Sequence, residues 1–153
     1  MSAVNGYASV YLRRGVVIVA SRSYLGEGCG GLVGNGWFST GPDNDMDDAT
    51  LGRNVRAAFA ATQNNVLMPD FSQPRPGLVS MYAAVGVKTD RQFAKDNSLV
   101  YVELRGTTIE LTPCKTDGKG MFYHLPEHME KVEAEVDDAT LGRQIRHTLQ
   151  QSS

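Results

Sequence analysis

The chain has 153 residues, a hydrophobic fraction of 41%, a charged fraction of 21% and a formal net charge of -2. That suits one domain with an ordinary core and argues against general nucleic-acid binding, while leaving a basic protein partner open. The longest apolar runs, Val16 to Ala20 among them, are far short of the roughly 20 residues that cross a bilayer, and Met1 to Tyr7 lacks the order of a signal peptide.

In chain order, Tyr7 to Leu12 and Val16 to Ser21 flank Arg13-Arg14-Gly15 and predict a hairpin. Gly26 to Gly36 holds six glycines in eleven residues and reads as a flexible loop or turn cluster, with Leu32 to Thr40 a third strand. A helix is expected at about 48 to 63. A break follows at Phe71 to Gly77, and then helical turns over Leu78 to Val85 and Thr89 to Lys95. Leu99 to Leu104 and Thr107 to Leu111 flank Arg105-Gly106 as a second hairpin, with Val100, Val102 and Leu104 on one face. After a turn at Asp117 to Gly120, Met121 to Leu125 predicts a strand, and a helix at about 138 to 150 follows. These elements give an α+β fold, a mainly antiparallel sheet with several packed helices in a single domain over 1–153.

The two long helices share a sequence. Asp47-Asp48-Ala49-Thr50-Leu51-Gly52-Arg53 recurs as Asp137-Asp138-Ala139-Thr140-Leu141-Gly142-Arg143, and Arg56 recurs as Arg146. Two copies are too few for a solenoid. Each copy reads as an aspartate N-cap at the positive end of a helix dipole. An apolar stripe follows: Leu51, Val55, Ala58 and Phe59 in the first, Leu141, Ile145 and Leu149 in the second. The arginines, Arg53, Arg56, Arg143 and Arg146, are expected on the solvated side.

Motifs for catalysis are weak. Gly26 to Gly31 formally matches the dinucleotide fingerprint, but Leu32 to Trp37 is poor material for the helix that must follow it. His124-Leu125-Pro126-Glu127-His128 matches an inverted zinc-protease motif, yet Pro126 opposes the helix it needs and would instead open a short turn. Cys29 and Cys114 are too few for a disulfide scaffold and are expected as reduced thiols. No Gly-x-Ser-x-Gly elbow occurs. No catalytic residue, metal or cofactor is therefore expected. The alternative reading is a small enzyme holding a phosphate-bearing ligand on the 26–36 loop. A third is a self-associating structural protein built on the repeated helix.

Two acidic stretches carry more. Asp43, Asp45, Asp47 and Asp48 lie together, and Glu127, Glu130, Glu133 and Glu135 run toward the second helix against Lys131 alone. Such runs are commonly solvated surface. They also make an electrostatic face for a basic partner, such as a nuclease whose groove binds phosphates. Trp37, Tyr24 and Phe38 are candidate aromatic anchors beside the glycine-rich segment, though sheet core suits them as well.

From Leu78 to Leu149 the chain resembles the immunity proteins of bacterial contact-dependent growth inhibition systems. The likeness lies in an ordered series. Val87-Lys88-Thr89 leads into Arg91-Gln92-Phe93, then comes the strand Leu99 to Leu104. Ile109-Glu110-Leu111-Thr112-Pro113 and a glycine turn follow, then the acidic-capped Leu-Gly helix. The Asp47 to Arg53 copy extends it to about residue 47 onward, and loosely before. The resemblance implies a cytoplasmic protein that binds the C-terminal toxin domain of a large exported protein. Many such toxins are RNA- or DNA-cleaving nucleases. A monomer forming a 1:1 heterodimer is expected, with no direct nucleic-acid or membrane contact. No binding residues carry over from the family.

Overall fold

Two hairpins form the centre of the sheet in the computed structural model, which describes residues 4–26, 32–67, 70, 72, 76–117 and 119–152. The first joins β1 (Val4–Arg13) to β2 (Val16–Tyr24). Its two-residue turn, Arg14-Gly15, has φ of 51° and 77°, the left-handed pair that matches strand twist and that glycine tolerates. β3 (Leu32–Pro42) runs back along β2. After the helical segments, β4 (Asn97–Arg105) and β5 (Thr108–Thr116) make the second hairpin, and β4 docks antiparallel on β1.

The outer edge of β5 is shared by two short strands, β6 (Phe122–His124) against its end and β7 (Glu130–Glu133) against its start. The order is β3-β2-β1-β4-β5, all antiparallel. Most strands run a few residues past their expected bounds. β7 was not expected, because Glu130-Lys131-Val132-Glu133 offers a single apolar side chain to an alternation test.

β3 revises the expected glycine-rich loop. Residues 32–36 belong to a strand, while 27–31, with Cys29, lie outside the described residues. The register shifts between Ala20 and Arg22, so β3 bulges around Gly36, whose φ is 90°. The bulge turns Asn35 inward, where its amide donates to Ser21 and Ser23 hydroxyls at 2.8 and 2.9 Å and to the Ala61 carbonyl at 3.0 Å.

Strand alternation divides the core in two. Ala8, Val10, Val17, Val19, Val100, Val102, Ile109 and Leu111 face α1 (Asp48–Ala61) and α4 (Asp138–Leu149). Tyr11, Ile18, Leu99 and Cys114 face the opposite side, with α2 (Pro76–Ala84) and α3 (Asp90–Ala94). Fully burying each aliphatic chain is worth about 1.5–3 kcal/mol.

The sequence repeat becomes a reciprocal pair of helices. Asp47 accepts from the Thr50 amide at 2.7 Å and Asp137 from the Thr140 amide at 2.7 Å. The expected apolar stripes are buried. Each helix crosses the other at its glycine. A Cβ on Gly52 would lie 2.8 Å from the Asp138 carbonyl carbon, and one on Gly142 would lie 2.7 Å from that of Asp48.

Two of the arginines expected in solvent are not there. Arg56 reaches the Asp138 carboxylate at 2.8 Å and the carbonyls of Ala134, at 3.0 Å, and Val136. Arg146 mirrors it, reaching Asp48 at 3.0 Å, Asp43 and the Met46 carbonyl. Helical periodicity puts both away from the sheet, but the second helix occupies that space. Arg53 and Arg143 do remain exposed.

Candidate functional site

The acidic stretches lead into the paired helices, and the structure sorts their members. Asp43 and Asp48 are ion-paired to Arg146. Asp47 caps α1, and hydrogen bonds from Thr50 hold its carboxyl below the usual range. Burial pushes Glu130 up, but hydrogen bonds from Thr148, Gln144 and His147 outweigh it and leave the carboxyl lowered. Asp45, Glu127, Glu133 and Glu135 are exposed, and no side-chain partner holds them among the described residues. Four of the eight expected acidic contact residues are thus employed by the fold, and four stay open to solvent.

The second face of the sheet offers the concave surface. α2 and α3 pack against it without filling it, and two adjoining cavities of 490 and 260 Å³ remain. Both are lined by Tyr11, Arg22, Leu78 and Met81. Trp37 and Phe38 line the larger one, whereas Tyr24 packs edge-on to Tyr7, with ring centroids 6.2 Å apart.

Around Arg22 the face is paved with tyrosines. Tyr101 lies beneath its guanidinium and 5.8 Å from Tyr7. Burial pushes the Tyr101 hydroxyl up to about 12 and raises that of Tyr7, which also feels Glu103. Tyr11 packs on Phe93 and Phe122 at 4.8 and 6.1 Å. Arg22, Tyr7, Tyr11 and Tyr101 escaped the sequence reading, which followed the aliphatic face of each strand. The signal was present, since Tyr7 and Tyr11 share one face of β1 and a charged residue stands inside β2 between two serines.

The motifs weighed for chemistry are dispersed. His124 ends β6 with its ring 4.8 Å from Tyr101, and Pro126 opens a 3-10 turn over Pro126–His128, as its backbone restrictions imply. The two histidines therefore do not share one helical face. The segment after the dinucleotide-like glycines is β3, which presents no helix N-terminus to a phosphate. Cys114 is a buried free thiol, pushed up to about 12 by burial and so a poor nucleophile. Among the described residues no cluster of three or more potential metal ligands occurs, and no helix is long and apolar enough to cross a membrane.

A family model described as CdiI, CDI immunity protein, matches residues 7–152. The chain belongs to this family. The match takes in most of β1, the larger cavity and both copies of the paired helix, so the CdiI likeness spans the sheet and both of its helical layers. Two solved structures are similar in fold. One is a protein of unknown function from Neisseria meningitidis, with a TM-score of 0.80 and 16% identity, covering 97% of this chain and 95% of that one. The other belongs to a CdiA-CT/CdiI toxin and immunity complex from Yersinia pseudotuberculosis, with a TM-score of 0.78 and 16% identity, covering 100% of both chains. No curated protein matches. The contact-dependent growth inhibition resemblance and the α+β fold expected from sequence both stand.

Proposed function

We propose that this CdiI-family chain acts in the cytoplasm as an immunity protein. It binds the C-terminal toxin domain of a cognate contact-dependent growth inhibition effector and neutralises it without catalysing a reaction. The observation that carries this reading is the CdiI match over almost the whole described chain. The fold shared with one member of a toxin and immunity complex supports it. A face with Tyr11 and Tyr101 around Arg22, and a buried thiol that is a poor nucleophile, suits recognition of a partner better than turnover of a substrate.

The toxin is a basic nuclease in this reading, held as a 1:1 heterodimer by a monomer. The exposed carboxylates of Asp45, Glu127, Glu133 and Glu135 steer it at encounter, with Asp43, Asp47, Asp48 and Glu130 adding to the same negative field. Trp37, which packs against the α1 and α4 core and borders the larger cavity, adds an aromatic contact. Co-expression with a cognate toxin domain is the test. Growth is restored and the two polypeptides copurify in equal amounts. Cells that carry the chain and still die from the cognate toxin overturn the reading.

A further inference from the structure

Among the described residues Arg22 is a cation without a carboxylate partner. Its Nε donates to the Ser9 hydroxyl at 2.9 Å, and its Cζ lies 5.5 Å from the Tyr101 ring centroid. The Tyr11 hydroxyl also hydrogen-bonds the guanidinium, which borders both cavities. Among the described residues no carboxylate forms an ion pair with it. Glu103 pairs with Arg105 at 2.8 Å, and Asp90, which lines the smaller cavity, accepts from the Tyr82 hydroxyl at 2.5 Å. Arg22 is also the sole charged side chain lining the larger cavity among the described residues.

Taking a guanidinium out of water is costly unless an anion joins it. Here tyrosine hydroxyls and a ring face ease that cost without cancelling the charge. Exposed apolar side chains flank this centre. Leu67 and Met121 line the cavities and are 91% and 56% exposed. An arginine among aromatics in a pocket flanked by apolar side chains is the composition of a binding hot spot.

We infer that this cavity is the anchor pocket for the toxin, in which Arg22 takes one aspartate or glutamate side chain of the toxin domain in a bidentate pair. The inference rests on the toxin-binding reading above and adds to it the chemistry of the contact. Apolar neighbours of that carboxylate rest on Leu67, Leu78 and Met81. Discrimination follows directly. A basic toxin without a carboxylate at this position is drawn in by the acidic exterior but leaves a covered guanidinium unpaired, and is rejected.

The test uses the position facing Arg22. Gly34 is its direct partner across β2 and β3, so both side chains leave the sheet on one face. A Cβ on Gly34 meets nothing within 4 Å. Gly34→Glu therefore supplies an internal carboxylate to Arg22. It raises the melting temperature and weakens binding of the purified toxin domain by about 100-fold, with Gly34→Gln weaker in both effects. Arg22→Met loses affinity by about 100-fold as well, mainly through faster dissociation.

One acidic residue of the toxin, changed to its amide, reproduces that loss and adds nothing further on the Arg22→Met background. If Arg22→Met fails to fold, Gly34→Glu decides alone. Wild-type affinity in a folded Gly34→Glu protein overturns the inference. So does a pocket that takes acetate or inorganic phosphate while toxin affinity ignores both substitutions. Failure of the unaltered chain to bind any toxin domain strikes the functional reading instead, which separates the two.

Discussion

Gly52 and Gly142 show how much a single hydrogen can decide. Each occupies the point where one helix meets the backbone of the other, and a methyl group there would have to displace a carbonyl. Gly52→Ala and Gly142→Ala are each expected to destabilise the protein by on the order of 2–3 kcal/mol, read from urea midpoints. Gly34→Ala, where a methyl meets open space, is expected to be close to neutral or mildly stabilising. Asp47 and Asp137 carry a different dependence. Hydrogen bonds from Thr50 and Thr140 hold their carboxyls below the ordinary value. A depressed folded value means that the stabilisation is present above the unfolded value and lost as pH falls through the folded one. The melting gap between the natural protein and an Asp47→Ala/Asp137→Ala variant should therefore narrow as pH drops below about 4. A gap that stays constant down to strong acid would show that capping by the charged form is not its source.

Between elements, the α1–α4 contact is the part of the fold that its sequence announces and also partly conceals. Repetition of Asp-Asp-Ala-Thr-Leu-Gly-Arg marks two equivalent helices, and caps and stripes follow from residue type. Nothing local says that the copies bind each other, because periodicity within one helix assigns Arg56 and Arg146 to water. Only the second copy, in place, turns that side inward. β7 was hidden for a related reason, since pairing with β5 rather than its own alternation makes it a strand. The Arg22 face was obscured because tyrosine and arginine on the outer side of a strand look like ordinary exposed residues until α2 and α3 close over part of it. Strands and turns with strong alternation or a left-handed glycine were legible throughout. Arg56→Met and Arg146→Met are each expected to lower stability by about 1–3 kcal/mol, and Lys at either site should recover little, since a compact ammonium lacks the planar fork that spans one carboxylate and two carbonyls at Arg56 and two carboxylates and one carbonyl at Arg146. Equal stability of the Lys variants in chemical denaturation would rule out the forked geometry as the cause.

For the whole molecule, charge and shape act over different ranges. Exposed carboxylates reach about 10 Å into a solution of moderate salt and act on the approach of a partner, whereas a pocket acts only on contact. Replacing Asp45, Glu127, Glu133 and Glu135 with their amides or serine should slow association with a basic toxin domain by about 10-fold at low salt and flatten the salt dependence, with little change in dissociation. Stopped-flow rates across an ionic-strength series give the answer, and unchanged low-salt association would exclude steering by these four side chains. The reciprocal helix pair has one more consequence, set by time rather than space. α1 is made early and its counterpart late, with α2, α3 and four strands between them. Without residues 138–149, α1 keeps its glycine notch and its arginine fork without their partners, and β4 and β5 lack the helix that covers them. Residues 138–149 complete that layer, so a chain shortened before residue 138 should be cut faster by a protease than the full one.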